Sequence, residues 1–157
     1  MLPAEVQELC VEALSKGPDI TAVEAWNEET RPFGLLITFT SGARLWVAIT
    51  TSAATSGDSE TETAARPATP PPLPALYGAN QTITPAQAEL YLAALLSTGL
   101  APQITSAYGY SDRATPAQHP GVGLRMATGA RAYLPFEYNA SANGRRAGAR
   151  FHIHPQF

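Results

Sequence analysis

Hydrophobic side chains recur at helical spacing in two segments of the chain, residues 3–17 (PAEVQELCVEALSKG) and residues 85–99 (PAQAELYLAALLSTG). In each segment, five apolar positions follow the i, i+3, i+4, i+7, i+8 pattern of a helix that buries one face. The two segments align without a gap from one end to the other. Each segment is therefore predicted to be a helix, and Gly17 and Gly99 are predicted to end these helices in the left-handed conformation.

Alternating apolar and polar residues follow each predicted helix and indicate strands. ITAVEAWNE (residues 20–28) matches ITSAYGYSD (residues 104–112). GLLITFTSGARLWV (residues 34–47) matches GVGLRMATGARAYL (residues 121–134). The separation between matching positions grows slightly along the chain, which places small insertions in loops, where extra residues are tolerated. Each segment thus predicts one helix followed by three strands.

The last two strands of each segment are joined through the tripeptide SGA or TGA. A two-residue turn would pair the apolar face of the first strand with Arg44 and Trp46. A three-residue loop with Gly42 in the left-handed conformation pairs that face instead with the alanine, leucine and valine of SGARLWV. All apolar residues then share one face, and the same register applies around Gly129.

This register sends arginine and aromatic residues to the opposite face of the sheet. An arginine two residues before an aromatic lies alongside it on a strand, so the guanidinium can stack on the ring. Two interpretations are open: the aromatics pack under the neighbouring unit or the linker, or they form a partner-binding patch, because these residue types are enriched at binding hot spots. With three tail arginines, the candidate binding residues are Arg44, Trp46, Arg125, Arg131, Tyr133, Arg145, Arg146 and Arg150.

A stretch of different composition lies between the two segments. The stretch between them is first acidic and then proline-rich, which predicts an extended polyproline spacer. Leu73, Leu76 and Tyr77 are candidates to anchor this spacer across the body. The predicted divisions are a first α-β-β-β unit at residues 1–51, the linker at 52–83, a second α-β-β-β unit at 84–140, and a Gly/Arg tail with a possible added strand at 141–157.

The sequence therefore predicts an α+β protein, a tandem duplication of a helix plus three-stranded antiparallel sheet unit with a pseudo-twofold axis and an extended Pro-rich linker. One unit of about 50 residues buries too little surface to be comfortably stable alone. The two units are expected to pack together or to extend each other's sheets.

Charge is distributed unevenly along the 157 residues, whose net charge is −3. Residues 1–75 hold ten Asp/Glu and four Lys/Arg, a balance of −6, whereas residues 76–157 hold three Asp/Glu and six Arg, a balance of +3. No overall positive field attracts nucleic acid or anionic lipid, so neither is an expected partner. The start of the chain has no signal-peptide pattern, and no apolar run reaches the roughly 18 residues that span a bilayer. A virion or cytoplasmic location is expected.

Candidate catalytic chemistry is sparse. Cys10 is the single cysteine and lies on the apolar stripe of the first predicted helix, where a thiol acts as a small hydrophobe. His152 and His154 alternate onto one face of the predicted tail strand, but a closed zinc centre needs four ligands. No nucleophile with its base, carboxylate pair or phosphate-binding loop is recognised. The sequence predicts a protein that is not an enzyme and that uses no metal or cofactor.

The repeated helix-and-hairpin pattern with its GAR turns resembles uncharacterised small duplicated proteins of actinobacteria and their phages, without a named family or a known activity. The abundance of arginine, alanine and proline beside a single lysine is typical of a high-GC genome. The expected function is a non-enzymatic structural or interaction protein, an accessory phage virion component such as a minor capsid, decoration or head-to-tail protein. Its expected partners are other protein subunits or further copies of the chain.

An alternative follows from the element order helix, three strands, helix. This order is similar to that of type III secretion chaperones, which bind unfolded segments of partner proteins, and it implies a cytoplasmic protein-binding module. The same order occurs in the double-stranded RNA-binding module, but that module contacts phosphates with lysines on its second helix. Here residues 84–99 contain no cation.

Overall fold

The computed structural model describes residues 2–28, 31–52, 73–97, 103–110, 119–142, 144 and 153–157. Within these ranges the fold is α+β, with two helices and one seven-stranded antiparallel sheet. In chain order the elements are α1 (Pro3–Leu14), β1 (Ile20–Glu28), β2 (Arg31–Phe39), β3 (Arg44–Ala48), β4 (Thr50–Ser52), a single 3-10 turn (Ala79–Gln81), α2 (Pro85–Leu96), β5 (Ile104–Gly109), β6 (Gly121–Met126) and β7 (Arg131–Ala140).

The strands of both predicted units belong to the same sheet, in the order β1-β2-β3-β7-β6-β5. The two units therefore extend each other's sheets, because β3 pairs with β7 from Arg44 opposite Ala140 to Val47 opposite Phe136. The separate three-stranded sheet predicted for each unit is therefore not observed. The short strand β4 was not predicted, and it continues the pairing with β7 beyond the end of β3.

The predicted three-residue hairpin loop is confirmed in both units. Gly42 has φ +91° and Gly129 has φ +89°, in the left-handed region that glycine adopts without strain. In the first hairpin, the Phe39 N–H donates to the Ala43 carbonyl at 2.9 Å. Leu35 and Ile37 consequently lie opposite apolar residues of β3 and face the core.

The hydroxyl residue before each of these glycines also has a structural role. Ser41 Oγ accepts a hydrogen bond from the Ala43 N–H at 3.3 Å. Thr128 Oγ1 accepts one from the Ala130 N–H, also at 3.3 Å. A side-chain acceptor two residues before the donor satisfies a backbone N–H at the end of the loop. This explains why a small hydroxyl residue precedes both glycines.

The helices begin and end for different reasons. Thr84 caps α2 as its sequence predicts, since Thr84 Oγ1 accepts from the Gln87 N–H at 3.2 Å and Gln87 Oε1 accepts from the Thr84 N–H at 3.0 Å. The prediction for Gly17 is wrong, because its φ is not positive. A Cβ at Gly17 would lie 2.8 Å from Leu95 Cδ1, so this glycine lets the Leu95 side chain of α2 pack close to the end of α1. Gly99 lies outside the described residues.

One hydrophobic core lies between the helices and one face of the sheet. Leu76 and Phe157, from outside the two units, are also buried in it. Phe157 exchanges two backbone hydrogen bonds with Ile83, at 2.8 and 2.9 Å, and its ring meets that of Phe39 edge-on at 6.2 Å. The last described residues therefore complete the core.

The spacer and tail are described only in part. Tyr77 anchors the end of the spacer, because its hydroxyl lies 2.6 Å from Thr40 Oγ1 and accepts from the Ser41 N–H at 3.0 Å. The acidic segment and the first prolines of the linker, residues 53–72, lie outside the described residues. So do residues 149–152 of the predicted tail strand, and residues 153–157 do not form a strand. Neither described helix has the length and apolarity needed to cross a bilayer.

Candidate protein-interaction face

The face of the sheet turned away from the helices, here called the outer face, carries two groups of aromatic residues. The seam cluster lies where β3 meets β7 and consists of Trp26, Leu36, Trp46, Tyr138 and Ala140. The arginine patch lies on β5, β6 and β7 and consists of Tyr108, Arg125, Arg131 and Tyr133. Strand alternation produces both groups, because the neighbours of these residues along each strand face the core.

Trp46, Tyr138 and Ala140 of the seam cluster are buried within the molecule, whereas Trp26 and Leu36 are partly buried. Trp46 is 8% exposed and Tyr138 is 6% exposed. The Tyr138 ring meets Trp46 edge-on at 6.4 Å and Trp26 edge-on at 6.1 Å. Tyr138 belongs to the second predicted unit, so the aromatic of the first unit packs under its neighbour. This contact favours the interpretation that Trp46 packs under the neighbouring unit over the one that it binds a partner. Little of the Trp46 ring is accessible to a partner.

Arg44 is held beside this cluster. Its guanidinium carbon lies 5.2 Å from the centre of the Trp46 ring, which confirms the predicted stacking of an arginine on the aromatic two residues later. Its Nη2 donates to the Gly144 carbonyl at 2.9 Å. Arg44 therefore connects the first hairpin to the start of the tail and remains partly exposed.

The arginine patch has a more accessible arrangement. Arg125 and Arg131 lie directly opposite each other on β6 and β7. The Arg125 guanidinium carbon lies 5.1 Å from the centre of the Tyr108 ring. Tyr133 is the next residue of β7 on the same face, and all four side chains are partly exposed. The four residues therefore lie together on a partly exposed part of the sheet.

Sequence reasoning missed Tyr108 as a member of this patch. Tyr108 lies opposite Gly123, and a Cβ at Gly123 would overlap the tyrosine ring. The ring therefore lies flat over the neighbouring strand and reaches Arg125. An isolated glycine inside the strand pattern of β6 was the available signal, since such a glycine marks a close approach of another group.

The patch combines guanidinium groups with phenol rings. A guanidinium offers donors in a fixed plane that match a carboxylate, and it stays charged across the physiological pH range. The tail arginines Arg145, Arg146 and Arg150 lie outside the described residues, and their role in binding remains a prediction.

Two further side chains that could take part in chemistry, those of Cys10 and Glu89, are buried. Burial raises the pKa of the Cys10 thiol to about 12, so this cysteine is a neutral thiol at neutral pH. Glu89 is buried on α2, and its carboxylate accepts a hydrogen bond from the Gly121 N–H at 2.8 Å. Among the described residues, His, Cys, Asp and Glu do not gather in threes that would hold a metal ion.

Comparison with protein-family models, with curated proteins and with solved structures finds no match for this chain. The function is therefore inferred from the geometry of the outer face.

Proposed function

We propose that this chain is a non-enzymatic interaction protein whose arginine patch docks another protein subunit. The observation that carries the proposal is that Arg125, Arg131, Tyr108 and Tyr133 are partly exposed on a sheet face that the helices do not cover. Tyrosine and arginine dominate binding energy at protein interfaces because they combine a large apolar body with directed donors. The sheet holds these side chains on a rigid frame, which lowers the entropic cost of docking.

The proposed setting is that of an accessory phage virion component. The resemblance of the sequence to small phage proteins and the opposed charges of residues 1–75 and 76–157 support this setting. A cytoplasmic protein-binding module similar to secretion chaperones is the alternative. Both settings use the same face, and they differ in the partner.

We also propose that the fold arose by tandem duplication with a pseudo-twofold axis between β3 and β7. Support comes from the contacts of each helix with a glycine of its sheet. Gln7 Nε2 donates to the Gly34 carbonyl at 2.8 Å. Glu89, which aligns with Gln7 in the second segment, accepts from the Gly121 N–H at 2.8 Å. The same helix position thus contacts the same glycine in both halves, with donor and acceptor exchanged.

Backbone hydrogen bonds outside the ladders recur in the same way. The Ile49 N–H donates to the Phe33 carbonyl at 3.1 Å, and at the matching place in the second half the Phe136 N–H donates to the Pro120 carbonyl at 3.0 Å. A bulge also interrupts β1 after Ile20 and β5 at the matching position. Such local irregularities are not imposed by the hydrophobic pattern, so their recurrence supports a common origin.

The docking proposal is tested by affinity capture with the full chain in lysate of its source organism. Wild type is compared with Arg131→Ala/Tyr133→Ala and with Leu90→Ala, which removes an exposed apolar side chain of α2 outside the outer face. We expect wild type and Leu90→Ala to retain one stoichiometric partner that the double variant loses. Equal capture by all three proteins, or by none, would contradict the proposal. Sedimentation of the complex with assembled particles or with soluble protein separates the two settings.

A further inference from the structure

An open cavity of about 220 Å³ lies beside the loop that joins β2 to β3. Its walls come from this loop, from the turn before α2 and from the chain just after β7. The lining residues that carry a hydroxyl or amide side chain are Ser41, Asn80, Gln81, Thr82 and Ser141. Neutral hydrogen-bonding groups from distant parts of the sequence therefore converge on one space.

The turn before α2 holds two of these side chains in an unusual backbone conformation. Asn80 and Gln81 both have φ +58°, in the left-handed region. Asparagine adopts this region more readily than most residues, but glutamine seldom does. The Gly78 N–H closes the turn by donating to the Thr82 carbonyl at 2.8 Å. Left-handed residues other than glycine cost stability, and they cluster at sites that clamp ligands.

The lining side chains keep hydrogen-bonding capacity. Asn80 and Gln81 are exposed, and their amides form no hydrogen bond with the described residues. Ser41 Oγ accepts from the Ala43 N–H at 3.3 Å, which leaves its O–H as a donor. Thr82 Oγ1 donates to the Ala79 carbonyl at 2.7 Å, which leaves its lone pairs as acceptors.

The second hairpin lacks this arrangement although its loop has the same geometry. Thr128 and Gly129 are exposed at its tip, whereas Ser41 and Gly42 are half-buried. A Cβ at Gly42 would lie 2.9 Å from the Ala142 Cβ, because the chain after β7 packs against the first loop. The cavity is thus not a by-product of the three-residue hairpin loop.

The lining indicates the class of ligand. Among the described residues, the side chains that line the cavity are uncharged, so an anion or a cation would lack an opposite charge there. Hydroxyl and amide groups both donate and accept, as the hydroxyls of a sugar do. Phe157 also lines the cavity but is 4% exposed, so it gives a nucleobase no open ring on which to stack. The volume is below the about 300–1,000 Å³ of pockets for drug-sized ligands, which suits a single ring.

We propose that this cavity binds one neutral sugar residue, either free or at the end of a glycan. The cavity and the arginine patch lie at opposite ends of β7, since the patch includes Arg131 and the cavity includes Ser141. Sugar binding is therefore a second activity, and it does not depend on the docking of a protein subunit.

The test is saturation-transfer difference NMR of the full chain with glucose, galactose, mannose, rhamnose and N-acetylglucosamine, each as free sugar and as methyl glycoside. At least one sugar should give a saturable signal, whereas glucuronate and inorganic phosphate should give none. Amide chemical shifts of isotope-labelled protein should change around the cavity and not at the arginine patch. Binding of the methyl glycoside identifies a glycan end as the ligand, and binding of the free sugar alone identifies a free sugar.

Asn80→Gly/Gln81→Gly removes both amides and also relieves the left-handed strain. Binding should weaken by about tenfold or more, because two hydrogen bonds are lost. The urea midpoint of this variant should stay at or above that of wild type, a combination that a purely structural role would not produce. Ser141→Ala removes one hydroxyl and should weaken binding less. Gln103→Ala is the matched control, because it removes an exposed amide outside the cavity and should bind as wild type.

Absence of binding across the panel, a signal that does not saturate, equal binding of phosphate, or unchanged binding by the double glycine variant would each overturn the proposal. If that variant does not fold, Ser141→Ala and the map of chemical shifts still decide. These results leave the docking of a protein subunit untouched, since affinity capture tests it separately.

Discussion

The two halves of the sheet use matching positions for opposite purposes. Trp46 and Tyr133 fall at the same place in their hairpins. The residue opposite Trp46 on the neighbouring strand is Tyr138, whereas the residue opposite Tyr133 on that side is Thr50. A phenol ring covers the first aromatic, but a small hydroxyl residue leaves the second partly exposed. The neighbours on the other side differ as well, since Trp46 pairs with Leu36 and Tyr133 pairs with Gly123. The cross-strand neighbours thus separate a buried aromatic from a partly exposed one.

The comparison also shows that the halves depend on each other. The seam cluster is made from both, and the core beneath the helices is continuous. The Tyr91 hydroxyl of α2 accepts a hydrogen bond from the Asp19 N–H at 2.9 Å, which joins the segment after α1 to α2. A shared core predicts that a cavity in either half lowers the stability of the whole molecule.

The largest expected effect comes from matched cavities in the two halves. Ile37 and Leu124 are both fully buried at the same hairpin position. Ile37→Ala and Leu124→Ala should each lower the free energy of unfolding by about 2–5 kcal/mol. Urea unfolding followed by circular dichroism and by tryptophan fluorescence should give one coincident transition for each variant. Two separate transitions would mean that the halves unfold independently.

The next effect concerns the neighbour that covers Trp46. Tyr138→Thr should lower stability by about 2–3 kcal/mol, because it removes a buried ring and its edge contacts. In a Trp26→Phe background, acrylamide should quench Trp46 more strongly after this change. The converse change, Thr50→Tyr, should cover Tyr133 and weaken docking at the arginine patch. Unchanged quenching of Trp46 in Tyr138→Thr would show that Tyr138 is not its cover.

A smaller effect is expected at two matched glycines under aromatic rings. A Cβ at Gly34 would lie 2.7 Å from Trp26 and 2.7 Å from the Val47 carbonyl. A Cβ at Gly121 would lie 2.6 Å from Tyr110 and 2.9 Å from a backbone carbonyl of β7. Gly34→Ala and Gly121→Ala should each cost about 1–3 kcal/mol by overpacking.

Gly78→Ala is the control for these two variants. Its Cβ would have its nearest neighbour at 3.6 Å. Its stability should therefore remain within about 0.5 kcal/mol of wild type in the same urea titration. A tolerated alanine at only one of the two matched glycines would show that the halves differ there.

The smallest effect is the contribution of Cys10, in the first half, to the dependence of stability on alkaline pH. Cys10 occupies the helix position that Leu92 occupies in the second half. Burial raises the pKa of Cys10 from 9.0 to about 12, so the unfolded chain loses this proton first as the pH rises. The thiol therefore favours the folded state fully below pH 9, and this contribution falls between pH 9 and about 12.

Urea unfolding at several pH values measures this contribution. Between pH 9 and 10, the thiol should lower the free energy of unfolding of wild type by about 1 kcal/mol. This decrease should be absent in Cys10→Ala. If the free energy of unfolding changed equally with pH in the two proteins, the thiol would not remain protonated in the folded chain, and the prediction would be wrong.

Local features of the fold were predictable from the sequence because they follow from short-range geometry. The two helices, the capping of α2 by Thr84, and the loops with left-handed Gly42 and Gly129 depend on residues within one turn or hairpin. The direction of Arg44 and Trp46 also follows, because side chains alternate along a strand.

The remaining features depend on contacts between distant parts of the chain. Nothing in the periodicity of β3 indicates that its free edge pairs with β7, so Tyr138 was not recognised as the cover of Trp46. Phe157 and Ile83 pair although they are far apart in the sequence, and no local signal indicates that bond. Of the candidate binding residues, Arg125, Arg131 and Tyr133 lie together in the structure. Trp46 is buried instead, and the interaction of Tyr108 with Arg125 required the geometry of Gly123.

Hydroxyl-radical footprinting of the full chain tests most directly whether Trp46 and Tyr138 are shielded at the seam while the arginine patch is accessible. In dilute protein, Tyr108 and Tyr133 should be oxidised, whereas Trp46 and Tyr138 should be protected. Oxidation of Trp46 as fast as Tyr133 in dilute protein would contradict the account.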